Sequence, residues 1–496
     1  MRVRRTLEQL AVAVALAGAL LGGRSNCALA DDATEQAAAL DLGTKVYVYG
    51  VPLLNMDKTF RTQTSVNVSD GRGNGPVNQF SHARHLANPE DHTVVAPNHD
   101  TLYSIAWLDL KKQPIVLHVP DVPDRFYIME LLSPYEENFA NVGTPTTGNL
   151  AGDYAITGPR WKGKLKPGLT EIKSPYDRVW VLGRTLIRGT EDEPAVQALQ
   201  DQYTLTPLKK WGKAYTPKAP KKPDTEVNQA TIPGTQSGDD PIAFFDALGV
   251  ALKQFPPPAA DQPLLDQLKT VGVGPKLRPS KNKKLSAATL QGLRDAVAAG
   301  KAAVNQALAQ MLGSSLPTHN GYLVGATGTY GTDYASRAVV DQIGLGAALP
   351  TVALYPFAIT DRNLAPLSGA NRYVAHLPAS MVPPPVYGFW SFTMYDSNMF
   401  FVPNAIERYV LNDRSDLHYN ADGSLDFYFQ TTAPTNPDQL KNWLPTPSGA
   451  FRVMFRLWGP DADAIPGILD GTGWQAPTIQ PCDASGRTAA GWGCAR

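Results

Sequence analysis

Residues 97–104 read PNHDTLYS, and residues 105–110 continue as IAWLDL. The first segment contains an Asn, a His, an Asp and several hydroxyl groups, whereas the second is mostly apolar, aromatic or β-branched. This change predicts a polar loop that leads into a buried strand. The loop is therefore a candidate for a functional site.

Other runs in the chain are also typical of strands, because they are short, apolar or alternating, and bounded by Pro, Gly or Asp. They lie at residues 46–49, 115–119, 126–131, 178–183, 387–395, 425–430 and 451–458.

The pattern between residues 191 and 313 is helical instead. Apolar residues recur at intervals of three and four over 242–252 and 290–312. Ser286 is placed to cap the longer helix, and Gly313 is placed to end it. The sequence therefore predicts a mainly β chain with a helical insert and two β-sandwich or jelly-roll-like domains.

The first thirty residues are organised like a secretory signal peptide. Arg2, Arg4 and Arg5 precede an apolar run at 10–21, and Ala28-Leu29-Ala30 offers a cleavage site before two acidic residues. We therefore expect a periplasmic or secreted protein.

The mature chain is longer than one hydrophobic core usually supports, so two β domains are expected.

Cys482 and Cys494 form an even pair in an exported chain, which predicts a disulfide, with two free thiols as the alternative. The expected organisation is a signal peptide at 1–30, an N-terminal β domain at 31–190, a helical insert with linkers at 191–315, a C-terminal β-sandwich at 316–475 and a disulfide-closed tail at 476–496.

Charge and missing signatures exclude several classes of protein. Without the four Arg and one Glu of the leader, the 45 basic and 45 acidic residues become 41 and 44, a net charge of −3. This balance predicts neither a nucleic-acid nor an anionic-membrane partner, and no integral membrane span is expected.

P-loop, dinucleotide, G-x-S-x-G and zinc-helix signatures are absent, so the common kinase, dehydrogenase, hydrolase and zinc-protease classes have no support in the sequence. We expect a small-molecule substrate and no cofactor, and homo-oligomer formation stays open.

Two sets of motifs resemble one bacterial family. They are SHARHLANP at 81–89, PDRFY at 123–127, NFANVGT at 138–144 and TTG at 146–148, then GFWSFTMYD at 388–396, NAIERY at 404–409, DGSL at 422–425 and NWLP at 442–445. Together they resemble an exported family built from two tandem domains of unknown function, DUF1254 followed by DUF1214. The resemblance covers nearly all of the chain after the leader, and it implies a family without implying an activity.

Three residues are candidates for catalysis. Asp100 could act as a general acid or base, with Tyr103 as its hydrogen-bonding partner and Glu130 as a second carboxylate. A structural explanation is also open, because Asn98 and Asp100 could hold the turn through hydrogen bonds to backbone amides.

The candidate substrate-binding residues are of three kinds. Arginines at strand ends can bind a carboxylate or phosphate, or form internal ion pairs. Aromatic residues beside a carboxylate are typical of sugar-binding surfaces, but also of strand cores. The family resemblance adds His82 and Arg84, whose positions recur in the family. The full set is His82, Arg84, Asn98, Arg125, Arg184, Trp390, Tyr395 and Asp396.

These residues lead to three hypotheses of function. The first is an exported enzyme, a hydrolase, that acts on a small polar or carbohydrate-like substrate in a cleft between domains. The second is a non-catalytic ligand-binding or envelope protein. The third is a metal-dependent enzyme that uses the cluster His82, His85, His92 and His99, although this spacing matches no named ligand motif.

Overall fold

The computed structural model of the protein describes residues 25–92, 95–223, 231–315 and 318–495. The helices are α1 (Ser25–Gln63), α2 (Glu193–Gln200), α3 (Ile242–Gln254), α4 (Gln262–Leu268), α5 (Ala287–Ser315), α6 (Tyr334–Gly344), α7 (Pro437–Lys441) and α8 (Ile465–Asp470). The strands are β1 (Ser81–His82), β2 (Thr101–Asp109), β3 (Ile115–Val119), β4 (Tyr127–Leu132), β5 (Asn138–Gly143), β6 (Gly152–Thr157), β7 (Thr170–Lys173), β8 (Arg178–Leu186), β9 (Thr204–Pro207), β10 (Ala353–Leu354), β11 (Phe357–Ala358), β12 (Tyr373–Leu377), β13 (Val386–Asp396), β14 (Val410–Asn412), β15 (Leu425–Gln430), β16 (Trp443–Pro445), β17 (Phe451–Pro460) and β18 (Ile479–Pro481).

Helices hold more of the described residues than strands do, so the chain is mixed α/β and the expectation of a mainly β chain is wrong. Most of the predicted leader, residues 1–24, lies outside the described residues. No helix in the part of the chain that the structure describes combines the length and apolar character needed to span a bilayer.

The largest correction concerns residues 46–49, which were predicted to form a strand and lie inside α1. Val46 and Tyr47 are buried, and the ring of Tyr47 stacks on Phe244 of α3 at 4.8 Å between centroids. The β-branched and aromatic composition favours a strand locally. Packing against α3, α5 and α6 outweighs that preference.

The two predicted helices of the insert are present as α3 and α5. The Ser286 hydroxyl accepts a hydrogen bond from the backbone N–H of Thr289 at 3.0 Å, which confirms the predicted cap. The helix continues past Gly313, through Ser315, so Gly313 does not end it as predicted. Together with α1, these helices form one bundle core.

The N-terminal strands form two sheets. The first sheet has the order β1-β2-β8-β4-β5 with every pair antiparallel, and the second has the order β7-β6-β3-β9. Leu108 of β2 and Leu117 of β3 belong to one core, so the two sheets face each other. The other face of the first sheet packs on α1 through stacked Trp107 and Trp180, whose centroids are 5.4 Å apart, and Met56. Burial on both faces explains the nearly continuous apolar run of β2.

The C-terminal strands also form two sheets that share a core. The third sheet has the order β10-β17-β13-β14, with β11 also paired to β17, and the fourth has the order β16-β15-β12-β18. Phe392 of β13 contacts Phe427 and Phe429 of β15 with centroids 5.3 and 5.1 Å apart. The predicted disulfide between Cys482 and Cys494 is confirmed in the tail.

The two pairs of sheets meet through aromatic side chains. Phe126, just before β4, makes edge contacts with Phe389 of β13 at 5.7 Å and Trp458 of β17 at 5.9 Å. The first and third sheets are therefore in direct contact, and the main cavity of the protein lies beside this contact.

Close packing of α1 on α5 can be tested at Gly300. A Cβ atom there would lie 2.4 Å from the Cβ of Tyr47, so Gly300→Ala should lower the free energy of unfolding by about 1–3 kcal/mol. Gly313 lies on the same helix, and a Cβ atom added there would meet no atom of another described residue within 4 Å. Gly313→Ala should therefore raise the free energy of unfolding by up to about 1 kcal/mol. Denaturant unfolding measures both variants. Equal effects would contradict this packing.

Candidate functional site

A cavity of about 730 Å³ lies where the first sheet, the helical bundle and the third sheet come together. Its walls are mostly apolar, and they include Ile105, Trp180, Leu182, Val339, Ile343, Phe357, Met454 and Trp458. Exposed Asp70, Arg72 and His85 also line it. The cavity is therefore an apolar chamber with charged groups on its exposed side.

The pairing of β2 with β8 positions two polar residues of this cavity. Tyr103 lies directly opposite Arg184 in the antiparallel register. The Arg184 guanidinium carbon is 5.5 Å from the centre of the Tyr103 ring and 5.4 Å from that of Trp458, distances typical of cation–π contacts. Both Tyr103 and Arg184 were predicted site residues, and the structure brings them together.

The predicted loop at 97–104 holds the Tyr103 hydroxyl in place. The Asn98 Oδ1 atom accepts hydrogen bonds from the backbone N–H groups of Asp100 and Thr101 at 2.9 and 2.8 Å, which confirms the turn-forming interpretation of Asn98. The Asn98 amide donates to the Tyr103 hydroxyl oxygen at 2.7 Å, and its backbone N–H donates there at 3.2 Å. Two donors therefore fix the position of that oxygen.

Glu130 on β4 is fully buried and supports Arg184 from behind the cavity wall. Arg184 Nε donates to Glu130 Oε2 at 3.1 Å, and Arg184 Nη2 donates to the carbonyl of Gly346 at 3.0 Å. Burial raises the pKa of Glu130 to about 7, while Arg184 acts in the opposite direction. Glu130 does not line the cavity itself. It is linked to the cavity by its hydrogen bond to Arg184, which does line it.

Arg456 of β17 supplies a second buried guanidinium to the cavity. It is 3% exposed, and it donates to Thr393 Oγ1 at 2.8 Å, Tyr395 Oη at 2.6 Å and the carbonyl of Ala96 at 2.8 Å. Ala96 has a φ of 51°, in the left-handed region that residues with a Cβ rarely adopt. The third sheet thus anchors the loop that carries Asn98.

Asp100 lies elsewhere, at a contact between the N-terminal and C-terminal strands. It is fully buried, and its Oδ1 accepts hydrogen bonds from Arg414 Nη2 at 2.6 Å and Asn412 Nδ2 at 3.0 Å. It does not line the 730 Å³ cavity. This geometry favours a structural ion pair for Asp100 over the predicted catalytic role.

Three other predicted binding residues make internal contacts. Arg125 donates through Nη1 and Nη2 to both carboxylate oxygens of Asp192, at 2.6 and 3.1 Å. Arg84 pairs with Asp201 and also lines the cavity. His82 Nδ1 is 2.9 Å from Ser104 Oγ, and burial followed by nearby Arg84 lowers the pKa of His82 to about 4.

The C-terminal candidates do not form an exposed aromatic surface. Trp390 is 4% exposed and stacks on Phe455 inside the core between the third and fourth sheets. Tyr395 donates to the carbonyl of Pro97 at 2.6 Å and so supports the candidate loop indirectly. Asp396 Oδ1 accepts hydrogen bonds from two backbone N–H groups of the following turn.

The predicted histidine cluster does not converge in space. His85 contacts Glu193, His92 packs on Phe400, and His99 Nδ1 is 2.7 Å from the carbonyl of Ala87. Within the described ranges, no group of three or more His, Cys, Asp or Glu side chains is arranged to hold a metal.

Sequence reasoning missed the cavity residues supplied by the second half of the chain. Arg456 was inside a run treated as a core strand, and Tyr355 and α6 were not considered. Arg456, the second of two Arg residues in FRVMFRLWGP, was an available signal, because a charged residue at the centre of a buried strand needs a partner.

Comparison with known protein families matches both halves of the chain. Residues 77–207 match the model described as "Protein of unknown function (DUF1254)", and residues 352–462 match "Protein of unknown function (DUF1214)". The chain therefore contains these two domains of unknown function in tandem. The predicted resemblance is thus confirmed. No curated protein matches the chain significantly.

Two crystal structures resemble this tandem-domain protein. The VPA0106 protein from Vibrio parahaemolyticus has a TM-score of 0.63 and 22% sequence identity, over 90% of this chain and 100% of that chain. A putative uncharacterized protein from Burkholderia cenocepacia has a TM-score of 0.39 and 12% identity, over 88% of this chain and 94% of that chain. The first match supports the fold of the tandem-domain protein and says nothing of its activity.

The ion pair of Asp100 gives a direct test of its role. Asp100→Asn removes the fully buried carboxylate of the ion pair with half-buried Arg414, so we expect the free energy of unfolding to fall by about 3 kcal/mol. Asp109→Asn is the matched control at the exposed end of the same strand, where the change should stay within about 0.5 kcal/mol. Urea unfolding measures both. An unchanged stability in Asp100→Asn would argue against the structural role.

Proposed function

We propose that this protein binds a small, largely apolar organic molecule in the 730 Å³ cavity. The observation that carries the proposal is the lining itself, in which apolar walls from three parts of the chain surround the hydroxyl of Tyr103 and the guanidinium groups of Arg184 and Arg456. Cavities of this size with a few convergent polar groups are typical of small-molecule sites.

The lining also bears on the chemistry of the ligand. Trp180, Leu182 and Trp458 offer hydrophobic contact over one part of the lining. A carbohydrate would leave many hydroxyl groups without partners against such walls. The cavity therefore favours an acyl or aryl compound over the carbohydrate-like substrate expected from the sequence.

The place of action that we propose is outside the cytoplasm, in the periplasm or the medium. The leader-like residues 1–30 and the disulfide between Cys482 and Cys494 support it, since disulfides persist in oxidising compartments. We interpret the two pairs of facing sheets as β-sandwiches that act as a rigid platform for the cavity.

Hydrolysis is the second candidate function, and the observation that favours it is the buried carboxyl group of Glu130. A carboxyl whose pKa is about 7 can accept a proton near neutral pH. Because Glu130 does not line the cavity, this reaction requires a water molecule to reach it beside Arg184. Glu130 would take a proton from that water, the hydroxide would attack the ester carbonyl, and the Glu130 carboxyl would return the proton to the alkoxide, which leaves as the alcohol while the acyl part is released as the acid.

Binding can be tested by filling the cavity. Val340 of α6 lines it, so Val340→Trp should weaken binding of N-phenyl-1-naphthylamine, a neutral fluorescent probe, by at least about tenfold because the indole occupies the space. Val250 is 40% exposed on α3, and Val250→Trp is the control with no expected effect. Fluorescence titration gives both affinities. Equal binding by both variants would place the probe outside the cavity.

Hydrolysis can be tested with p-nitrophenyl decanoate. If Glu130 is the base, kcat/KM rises with pH through about 7, because the active form is the carboxylate. Glu130→Gln should then lower kcat/KM by about 10²–10⁴-fold. Exposed Glu90→Gln serves as the control and should be unaffected. Activity that persists in Glu130→Gln would remove the hydrolytic candidate while leaving the binding function intact.

A further inference from the structure

Arg456 is a buried cation whose direct partners are neutral. Its three hydrogen bonds go to a threonine hydroxyl, a tyrosine hydroxyl and a backbone carbonyl. It has no salt bridge to any carboxylate of the described residues, although it is 3% exposed. A buried guanidinium normally has an anionic partner, because the loss of hydration is otherwise uncompensated.

The Tyr103 hydroxyl has a hydrogen atom left to donate. Its oxygen already accepts two hydrogen bonds, from the side chain and the backbone of Asn98. The hydroxyl donates to no acceptor among the described residues. Tyr103 lines the cavity and lies within electrostatic range of Arg456. A ligand oxygen at this point would meet a donor whose position is already fixed.

The carboxylates near this end of the cavity already have cationic partners. Three guanidinium groups, those of Arg184, Arg414 and Arg456, stand near three carboxylates, those of Glu130, Asp100 and Asp413. The Glu130 carboxylate is bound by Arg184, and the Asp100 carboxylate is bound by Arg414. Asp413 also pairs with Arg414, so Arg456 is the member of this group that has no carboxylate partner among the described residues.

We propose that the natural ligand of the cavity is an amphipathic carboxylic acid, whose carboxylate binds Arg456 and Tyr103 while its aliphatic or aryl part lies along the apolar walls. This inference rests on the proposed binding function and adds the chemical class of the ligand. A free acid with one chain is favoured over a two-chain lipid because the cavity measures about 730 Å³. Charge-assisted hydrogen bonds are about twice as strong as neutral ones. The carboxylate would therefore make the cavity prefer acids over neutral compounds of the same chain length.

The test compares decanoate with 1-decanol, which share a chain length and differ in the charge of the head group. Each is titrated against protein loaded with N-phenyl-1-naphthylamine, and displacement gives the two affinities. We expect the intact protein to prefer decanoate by about tenfold to a hundredfold, the range that a charge-assisted hydrogen bond supplies.

The variants assign that preference to particular side chains. Arg456→Gln should bring the two affinities to within about threefold, and Arg456→Lys should retain part of the preference. Arg452→Gln is the matched control, because Arg452 lies on the same strand four residues earlier and does not line the cavity. If Arg456→Gln does not fold, Tyr103→Phe removes the hydroxyl donor and should also reduce the preference.

The outcomes separate this inference from the function on which it rests. Equal binding of decanoate and 1-decanol by the intact protein would overturn the anionic ligand and leave the binding function standing. Displacement by neither compound would count against both. Binding to phosphatidylglycerol vesicles without binding of decanoate would assign the anion to a lipid surface and overturn the free acid. Loss of the preference in Arg452→Gln would overturn the role of Arg456.

Discussion

The antiparallel pairing of β2 with β8 is the constraint on which the rest of the structure depends. One face of this pair closes the core with the second sheet, and the other face packs on α1 through Trp107 and Trp180. Because the two faces pack on different partners, a slip of one residue would exchange the side chains that fit the second sheet with those that fit α1. The same register places Tyr103 opposite Arg184, so the geometry of the candidate site follows from the geometry of the core.

Local patterns predicted much of the fold. The strands β2, β4, β8, β13, β15 and β17 and the helices α3 and α5 were all visible as short apolar runs or helical spacing, and Ser286 marked a cap that is present. The failure at residues 46–49 is informative, because their β-branched and aromatic composition is typical of a strand. In the folded protein, Tyr47 and Gly43 pack against α5, and this packing favours the helix over a strand. The sequence of residues 46–49 alone carries no sign of a contact with residues so distant in the chain.

The candidate site was predictable in part. Asn98, Tyr103, Glu130 and Arg184 lie on three neighbouring strands and a loop, and three of them line the cavity. Asp100 was indistinguishable from them in sequence, since the choice between catalysis and an ion pair depends on Arg414, more than three hundred residues later in the chain. Arg456 was hidden for the same reason. Residues that meet only after the chain has folded leave no shared pattern in the sequence.

The walls of the cavity have a consequence for how the two family domains relate to one another. Val339 and Ile343 of α6 line the cavity, yet α6 spans Tyr334–Gly344 and falls between the matched segments 77–207 and 352–462. The linker between the two domains is thus part of the cavity wall, and neither matched segment alone encloses the cavity. In the proposed binding function, an occupied cavity would hold three parts of the chain together, and a ligand that binds only the assembled form stabilises the whole molecule by mass action.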